Sequence, residues 1–402
     1  MPDLALLLLH LSVILLSSRL AGEIFERLKQ PAVIGEILVG LLLGPSLLGL
    51  LSTSSPTSEI FESLSQLGII LLLFLAGLTV RVGEFRKAGR PGLIVAATGV
   101  ITAFLLGFGV ASIFGWTKIE AAFAGGVLMA TSVGVTVRTL LELGKLHSQV
   151  GATILSAAVI DDVFGIAVLS VLGGVASASF SPSGLVLTCL LMGLFFLLAF
   201  AALRFMPSLL ERLEHLRTEK ATLSLSLSLA LLFSVLAYKL GLAAITGAFF
   251  AGLAFSGWRG AGKLREEISS IGYGLLVPLF FVWCGVRADL HLVAGSWLAF
   301  FFLAICIIDK LVGCGGGALL VGMDPRDALR VGVGMMPRME VALILASIGV
   351  SSGAVRPQLL SMTVLVVVAT SLLTPPFLKR VFQGPSKISE SWGARVRANL
   401  KT

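Results

Sequence analysis

The chain has 402 residues, of which 56% are hydrophobic and 13% charged, and its mean hydropathy is +1.01. A soluble protein of this length needs far more polar surface, so the composition excludes a water-soluble domain and predicts a polytopic membrane protein. A net charge of +8 would favour nucleic-acid binding in a soluble chain, but here the lysines and arginines fall mainly between apolar segments, so we expect no nucleic-acid partner.

Apolar segments long enough to cross a bilayer, which needs about 20 residues, follow one another along the chain. We count thirteen, bounded by charged residues, Gly and Pro, or Ser clusters. The first carries Asp3 instead of a basic start and has no small-residue cleavage site before Arg19, so we interpret it as a span and not as a signal peptide. The predicted spans are 3–18, 31–50, 61–80, 91–114, 119–141, 149–173, 183–206, 221–238, 241–257, 266–288, 292–321, 326–350 and 357–379.

The basic residues alternate between the two sides of this arrangement. Loops after odd-numbered spans and the C-terminal segment hold 24 of the 30 lysines and arginines, and loops after even-numbered spans hold four. Because Lys and Arg accumulate in cytoplasmic loops, we expect the N-terminus outside and the C-terminus in the cytoplasm of an inner (plasma) membrane. We interpret residues 381–402, a basic tail, as an anchor to the membrane surface and its anionic lipids.

Two short stretches of the first half resemble stretches of the second. AVIGEILVGL at 32–41 matches AITGAFFAGL at 244–253 in four of ten positions, and FLAGL at 74–78 resembles VWCGV at 282–286. Each pair is separated by seven spans, so the second copy enters the membrane from the opposite side. This spacing predicts two inverted six-span repeats around a single span 7, an organisation typical of secondary transporters.

Spans 5 and 12, which are also seven apart, both contain a stretch that weakens a helix. Span 5 has Thr131, Ser132 and a following glycine in place of good helix formers, and span 12 has Pro337 in the sequence VGVGMMPRME. Breaks at membrane depth are tolerated where they line a cavity or are buried in protein. We therefore expect two interrupted helices whose freed backbone groups meet an ion or a charge.

Span 6 carries two adjacent aspartates, Asp161 and Asp162, in a stretch with no other charged residue between Lys145 and Arg204. A carboxylate at the bilayer centre is disfavoured by about 2.5 to 3.5 kcal/mol, which indicates a functional pair. Adjacent residues on a helix point about 100° apart and need different partners. Lys310 in span 11 is the natural partner of one aspartate, and the other is left to hold either a proton or a metal cation.

The four cysteines indicate no metal centre or disulfide. They lie in apolar segments and form no C-x-x-C pair, so we interpret them as small core residues and expect no cofactor. They are Cys189, Cys284, Cys306 and Cys314.

Together, these motifs resemble the monovalent cation:proton antiporter-2 family, and within it the NapA-like bacterial sodium/proton antiporters. The likeness covers nearly the whole membrane region. It rests on QPAVIGEILVGLLLGPSLLG at 30–49, ATSVGVTVRTLLELG at 130–144, AAVIDD at 157–162, the isolated Lys310 and GVGMMPRMEV at 332–341.

The resemblance implies an all-α fold of about 13 transmembrane helices with two crossed, broken helices, as in NhaA and NapA. It also implies a homodimer in which a six-helix core moves against a dimerisation domain, elevator fashion, and exchange of Na⁺ or Li⁺ for H⁺ that is electrogenic. The expected boundaries put residues 1–60 and 174–257 in the dimerisation part and its linker, and residues 61–173 and 266–380 in the core.

The resemblance also implies roles for individual residues. Asp162 takes the place of the obligatory ion-binding carboxylate, and Asp161 that of the aspartate paired with Lys310, with the transported Na⁺ near both. Further residues implied are Thr131, Ser132, Met336 and Pro337 in the unwound segments and the charged pair Arg338 and Glu340. Asp309 departs from the family's pattern, in which we expect an uncharged residue before Lys310, and it is an additional candidate for a proton or cation site, as is Glu36.

Three other functions compete with this interpretation. An intramembrane aspartyl protease needs two facing carboxylates, which adjacent positions on one helix cannot provide. A cation channel can use acidic side chains, but paired broken helices and a buried Asp/Lys pair fit alternating access better than an open pore. A potassium/proton antiporter or potassium-efflux transporter of the same family stays open, because ligand number and cavity size decide cation selectivity.

The orientation is testable by thiol labelling in a variant that lacks the native cysteines. Ser54→Cys should react with a membrane-impermeant reagent added outside intact cells, and Ser208→Cys only when the cytoplasmic side is opened. The reverse pattern would overturn the orientation, and labelling of both positions from one side would overturn the span count.

Overall fold

The computed structural model describes residues 4–52, 57–176, 181–213, 220–287, 297–338 and 340–383, without the side chains of residues 207–213, 297 and 340. This part of the chain is all-helical, with sixteen α-helices and one π-helical segment. The helices are α1 Leu4–Arg27, α2 Ala32–Leu43, α3 Ser58–Thr79, α4 Val82–Ile113, α5 Lys118–Met129, α6 Gly134–Glu142, α7 Gln149–Ala176, α8 Pro182–Leu213, α9 Ala221–Lys239, α10 Ala244–Phe255, α11 Ala261–Ile271, the π segment Gly272–Leu276, α12 Val277–Val286, α13 Trp297–Leu320, α14 Pro325–Gly334, α15 Glu340–Ser351 and α16 Gln358–Gln383.

Each of the thirteen predicted spans contains at least one helix, which confirms the all-α membrane fold. Ten helical segments in the described ranges are long and apolar enough to cross a membrane, and three shorter apolar helices accompany them. Spans 5 and 12 are each divided into two helices. The helices extend beyond the apolar windows: α4 begins at Val82, nine residues before its predicted span, since charged residues continue a helix outside the membrane. Hydropathy marks membrane depth, not helix ends.

The helices pack into two groups. The first, here called the crossing group, contains α4–α7 and α13–α16; in it α4 packs against α5, α7 and α13, and α16 against α13, α14 and α15. The second, here called the panel, contains α1–α3 and α8–α12; in it α10 packs against α3, α8 and α9, and α2 against α1 and α12.

This packing differs from the domain boundaries expected at residues 61 and 266. Those boundaries assigned α3 and α11–α12 to the transport core, but α3 packs mainly against α10 and α12, and α12 mainly against α2 and α3. Both helices therefore belong to the panel. The physical reason is that glycines on these helices allow close backbone approach to other panel helices.

Two of these close approaches are equivalent contacts in the two halves of the panel. A β-carbon on Gly40 of α2 would overlap the backbone of α12 at Val282, and one on Gly252 of α10 would overlap the backbone of α3 at Phe74. Gly285 and Gly77 are the glycines on the opposing helices. The first internal similarity aligns Gly40 with Gly252, and the second aligns Gly77 with Gly285. The contacts therefore support the predicted inverted repeat.

Two of the 24 basic residues counted with the loops lie at the edges of predicted spans 5 and 12, and both are buried in helices. Arg138 lies in α6 and Arg330 in α14, each 6% exposed. Each is held by a carboxylate on its own helix, Glu142 at 2.6 Å and Asp327 at 2.6 Å. Their assignment to loops was wrong, because a paired arginine near a helix end can stay in the protein interior.

The glycine contacts predict a selective loss of stability. Gly40→Ala and Gly252→Ala should each destabilise the protein by about 1 to 3 kcal/mol, because backbone cannot move aside for a methyl group. Gly109→Ala is the matched control, since a β-carbon there meets nothing within 4 Å. Thermal unfolding in detergent should show lower melting temperatures for the first two variants only. An unchanged melting temperature for Gly40→Ala would contradict the close packing.

Candidate functional site

The site is built where the two broken helices meet. α5 ends at Met129 and α6 begins at Gly134, while α14 ends at Gly334 and α15 begins at Glu340. Between the two interruptions, the Ser132 backbone N–H donates to the Pro337 carbonyl oxygen at 2.8 Å. The Thr136 hydroxyl donates to the Gly334 carbonyl oxygen at 2.6 Å. The two interruptions predicted from sequence therefore cross in direct contact.

Breaking a helix frees the carbonyl groups of its last turn, which also carry the negative end of the helix dipole. Here, two buried cationic side chains donate hydrogen bonds to these carbonyl groups. Lys310 Nζ donates to the Met129 carbonyl at 2.9 Å, and Arg338 Nε donates to the Leu128 carbonyl at 2.8 Å. Both carbonyls belong to the end of α5.

Arg338 also serves the other broken helix. Its Nη1 donates to the Met336 carbonyl at 2.6 Å and to the Met335 carbonyl at 3.1 Å, just after α14. Arg338 and Lys310 are both 0% exposed. One guanidinium, with its fixed fork of donors, thus holds the ends of both interrupted helices together.

Each buried cation has a buried carboxylate beside it. Arg338 Nη2 donates to both oxygens of Asp309, at 2.9 and 3.1 Å, and Lys310 Nζ lies 3.6 Å from Asp161 Oδ1. Asp309 is 0% exposed and Asp161 2%. An unpaired charge at this depth would cost several kcal/mol, so the pairs keep the crossing close to neutral. Asp309, considered above as an additional ion site, has both oxygens occupied by Arg338.

Asp161 also binds the first break directly. Its Oδ2 accepts the Thr131 backbone N–H at 2.9 Å. The second break has the same arrangement, because the Arg338 backbone N–H donates to the Thr370 hydroxyl of α16 at 3.2 Å. In both halves, a side chain of the following long helix caps the unwound segment, which again supports the inverted repeat. The Thr131 hydroxyl is buried and makes no hydrogen bond in the described structure.

Asp162 points in a different direction, as the 100° rotation between neighbours predicts. Its carboxylate is half-buried and lines a cavity between α7, α3 and α10, next to Val133 of the first break. The Thr246 hydroxyl of α10 donates to Asp162 Oδ2 at 3.0 Å. Helix periodicity alone left open which aspartate lies beside Lys310, and the structure places Asp161 there and Asp162 at the cavity.

Glu36 lies in a separate charged cluster. Its Oε1 is 3.6 Å from Arg138 Nη2, and Arg138 also stacks over the Tyr273 ring, with its guanidinium carbon 4.1 Å from the ring centre. The cluster joins α2 of the panel to α6 of the crossing group, away from the residues that line the Asp162 cavity. Sequence reasoning selected Glu36 but gave it no partner.

Sequence reasoning did not select Thr246. The available signal was slight: it is the one hydroxyl residue in the apolar run AITGAFFAGL. Glu340, expected to form a charged pair with Arg338, begins α15, but its side chain and the preceding Met339 lie outside the described residues.

Crossed broken helices with buried ion pairs and a carboxylate at a central cavity define a membrane transporter rather than an enzyme. The chain belongs to the family described as sodium/hydrogen exchanger, transmembrane, whose family model matches residues 12–384.

The chain is similar in sequence to known antiporters along nearly their whole length. The chain is 34% identical to the Na(+)/H(+)-K(+) antiporter GerN of Bacillus cereus, covering 94% of this chain and 97% of the relative. It is also 34% identical to a Na(+)/H(+) antiporter of Enterococcus hirae, covering 92% and 96%.

The fold matches a solved structure. The sodium proton antiporter MjNhaP1 of Methanocaldococcus jannaschii superimposes with a TM-score of 0.71 at 17% identity, covering 95% of this chain and 97% of the other. At this identity the likeness concerns the fold alone.

The Asp161–Lys310 pair predicts strong coupling in a double-mutant cycle. Asp161→Asn or Lys310→Met alone should destabilise the protein by about 3 to 5 kcal/mol, since each leaves a buried charge uncompensated. The double variant should be milder than the sum of the single variants. The exposed pair Glu23–Arg27, at 2.8 Å, is the control and should show coupling near zero. Strictly additive losses of unfolding free energy at the buried pair would show that the two charges do not interact.

Proposed function

We propose that this protein exchanges Na⁺ or Li⁺ for protons across the plasma membrane, with Asp162 binding the two ions in turn. The observation that carries the proposal is the Asp162 carboxylate, which lines a cavity between the two helix groups beside the crossed breaks. The Na(+)/H(+) antiporters among the relatives support the choice of ions.

Exclusive occupancy of one carboxylate is the chemical basis of the exchange. A protonated carboxyl has lost the negative charge that attracts a cation, and a bound cation stabilises the ionised carboxylate and so disfavours its protonation. If only the two loaded states cross the membrane, each ion is coupled to the other. The hydroxyl of Thr131 and the backbone at Ser132 lie in the adjacent break and supply further oxygen ligands.

Asp161 and Lys310 give the site a second titratable unit. When the cation draws Asp161 away from Lys310, the lysine can release a proton, so two protons cross for each monovalent cation and transport is electrogenic. Asp309 and Arg338, in contrast, anchor the broken helices and take no part in exchange. This assignment rests on the occupied oxygens of Asp309.

We assign alternating access to an elevator movement of the crossing group against the panel. The site residues Asp161, Asp162 and Lys310 all lie on the crossing group, so a rigid movement carries the whole site. The panel, packed through its glycine contacts, forms the fixed wall and the interface of a homodimer. The N-terminus outside and the C-terminus in the cytoplasm complete the proposed topology.

Potassium is the second candidate cation. The Bacillus cereus relative GerN is a Na(+)/H(+)-K(+) antiporter by name. In that case K⁺ replaces Na⁺ at the same carboxylate, and the proton chemistry is unchanged.

The decisive variant is Asp162→Asn. In proteoliposomes, addition of Na⁺, Li⁺ or K⁺ should drive proton flux through the wild-type protein, and the order of the three ions defines the selectivity. Asp162→Asn should reduce this flux to the level of empty liposomes, because the amide holds neither ion. The control is Glu59→Gln, which replaces an exposed carboxylate on α3 and should transport normally.

Appreciable cation-driven flux in Asp162→Asn would overturn the assignment of the exchange site. Wild-type liposomes with a clamped membrane potential and matched ion gradients also test the stoichiometry. An imposed voltage should start proton movement, and zero flux across the voltage range would establish electroneutral exchange.

A further inference from the structure

Thr246 makes a polar contact between the two helix groups at the exchange carboxylate. Its hydroxyl lies in the first turn of α10, a panel helix, and donates to Asp162 Oδ2 on α7 of the crossing group at 3.0 Å. Thr246 is 2% exposed. The contact therefore joins the proposed fixed wall to the residue that is proposed to move.

The position of Thr246 in its helix frees the hydroxyl for this contact. Threonines inside apolar helices satisfy their hydroxyl on the carbonyl four residues before, as Thr79, Thr363 and Thr374 do here at 2.7 Å. Thr246 is the third residue of α10, so the residue four positions before it precedes the helix. Its hydroxyl points instead to another helix.

The cavity around the contact offers little other polar chemistry from side chains. Of its nine lining residues, Asp162 and Thr246 are the polar ones, and the other seven are Leu, Val, Ala, Ile and Phe. A cation that leaves water must replace its hydration shell with oxygen ligands. A hydroxyl oxygen carries two lone pairs and can rotate from donating a proton to coordinating an ion.

We propose that Thr246 is a ligand of the transported cation that the panel contributes, and that it completes the site at Asp162 at one position of the crossing group. The inference rests on the proposed exchange at Asp162 and adds a specificity-determining residue to it. When the crossing group moves along the panel, Asp162 leaves α10 and the ligand is lost.

A ligand that is present in only one access state makes the cation affinities of the two states unequal. The state in which Asp162 lies beside Thr246 binds the cation more tightly than the state on the other side of the membrane. Removal of the hydroxyl therefore weakens cation binding from one membrane face and leaves the other face unchanged. A general structural defect has no such sidedness.

The test compares Thr246→Val, which keeps the branched shape and removes the hydroxyl, with Thr246→Ser, which keeps the hydroxyl. Na⁺-dependent proton flux is measured in right-side-out and in everted membrane vesicles at one fixed pH. Thr246→Val should raise the Na⁺ concentration for half-maximal rate about tenfold on one face, with the maximal rate retained. Thr246→Ser should behave as the wild type on both faces.

The proposal would be overturned if Thr246→Val left the half-maximal Na⁺ concentration unchanged on both membrane faces, or raised it equally on both. If the Val variant does not fold, Thr246→Ala is compared with Thr246→Ser in the same way. Stabilisation of detergent-solubilised protein by Na⁺ gives a second readout, and it should need about tenfold more Na⁺ in the variants without the hydroxyl. If wild-type vesicles show no Na⁺-dependent proton flux, the proposed function itself is refuted. If the wild type is active and Thr246→Val has the same half-maximal Na⁺ concentrations as the wild type, only the ligand role of Thr246 is refuted.

Discussion

Backbone carbonyl groups that end a helix inside the membrane need partners, and this requirement organises the centre of the protein. Two helices stop at membrane depth, and water is not available there to satisfy their last carbonyls. Lys310 and Arg338 provide the donors, and their positive charge also faces the negative ends of the helix dipoles. Buried cations in turn need buried anions, which Asp161 and Asp309 supply.

The result is a neutral scaffold around one distinct carboxylate. Asp309 and Asp161 are each beside a cation, and their side chains also join separate parts of the chain. Asp162 lies one residue from Asp161, yet it faces a cavity because α7 turns it away. In the proposed function Asp162 binds the exchanged ions and Asp161 takes part through Lys310, whereas Asp309 and Arg338 hold the broken helices in place. Adjacent residues on one helix can therefore have different partners.

The panel provides the other half of the working arrangement. Four of its glycines, Gly40, Gly77, Gly252 and Gly285, bring two helix pairs into backbone contact, which leaves little room for sliding inside the panel. The cross-group contacts differ in kind: they include the Thr246 hydroxyl at Asp162 and the Glu36–Arg138 pair at 3.6 Å. Close backbone packing within the panel and polar contacts between the groups are the features on which the proposed elevator movement rests.

Sequence alone determined the membrane class, the thirteen apolar segments, the two interruptions and the charged residues inside spans. These features follow from composition, from helix propensity and from the high cost of a charge in an apolar run, all of which are local. The tertiary structure decided which partner each charge has. Helix periodicity and charge do not distinguish Asp161 from Asp162, and the rotation of α7 against α13 and α10 is what gives them different partners.

The same holds for the contacts that sequence reasoning missed or misplaced. Thr246 lies 84 residues from Asp162 and Asp309 lies 29 residues from Arg338, and no local pattern links them. The grouping of α3 and α12 with the panel depends on glycine contacts between helices far apart in the chain, and hydropathy does not distinguish a lipid-facing span from a protein-facing one. Long-range packing sets these relations, so only the folded chain reveals them.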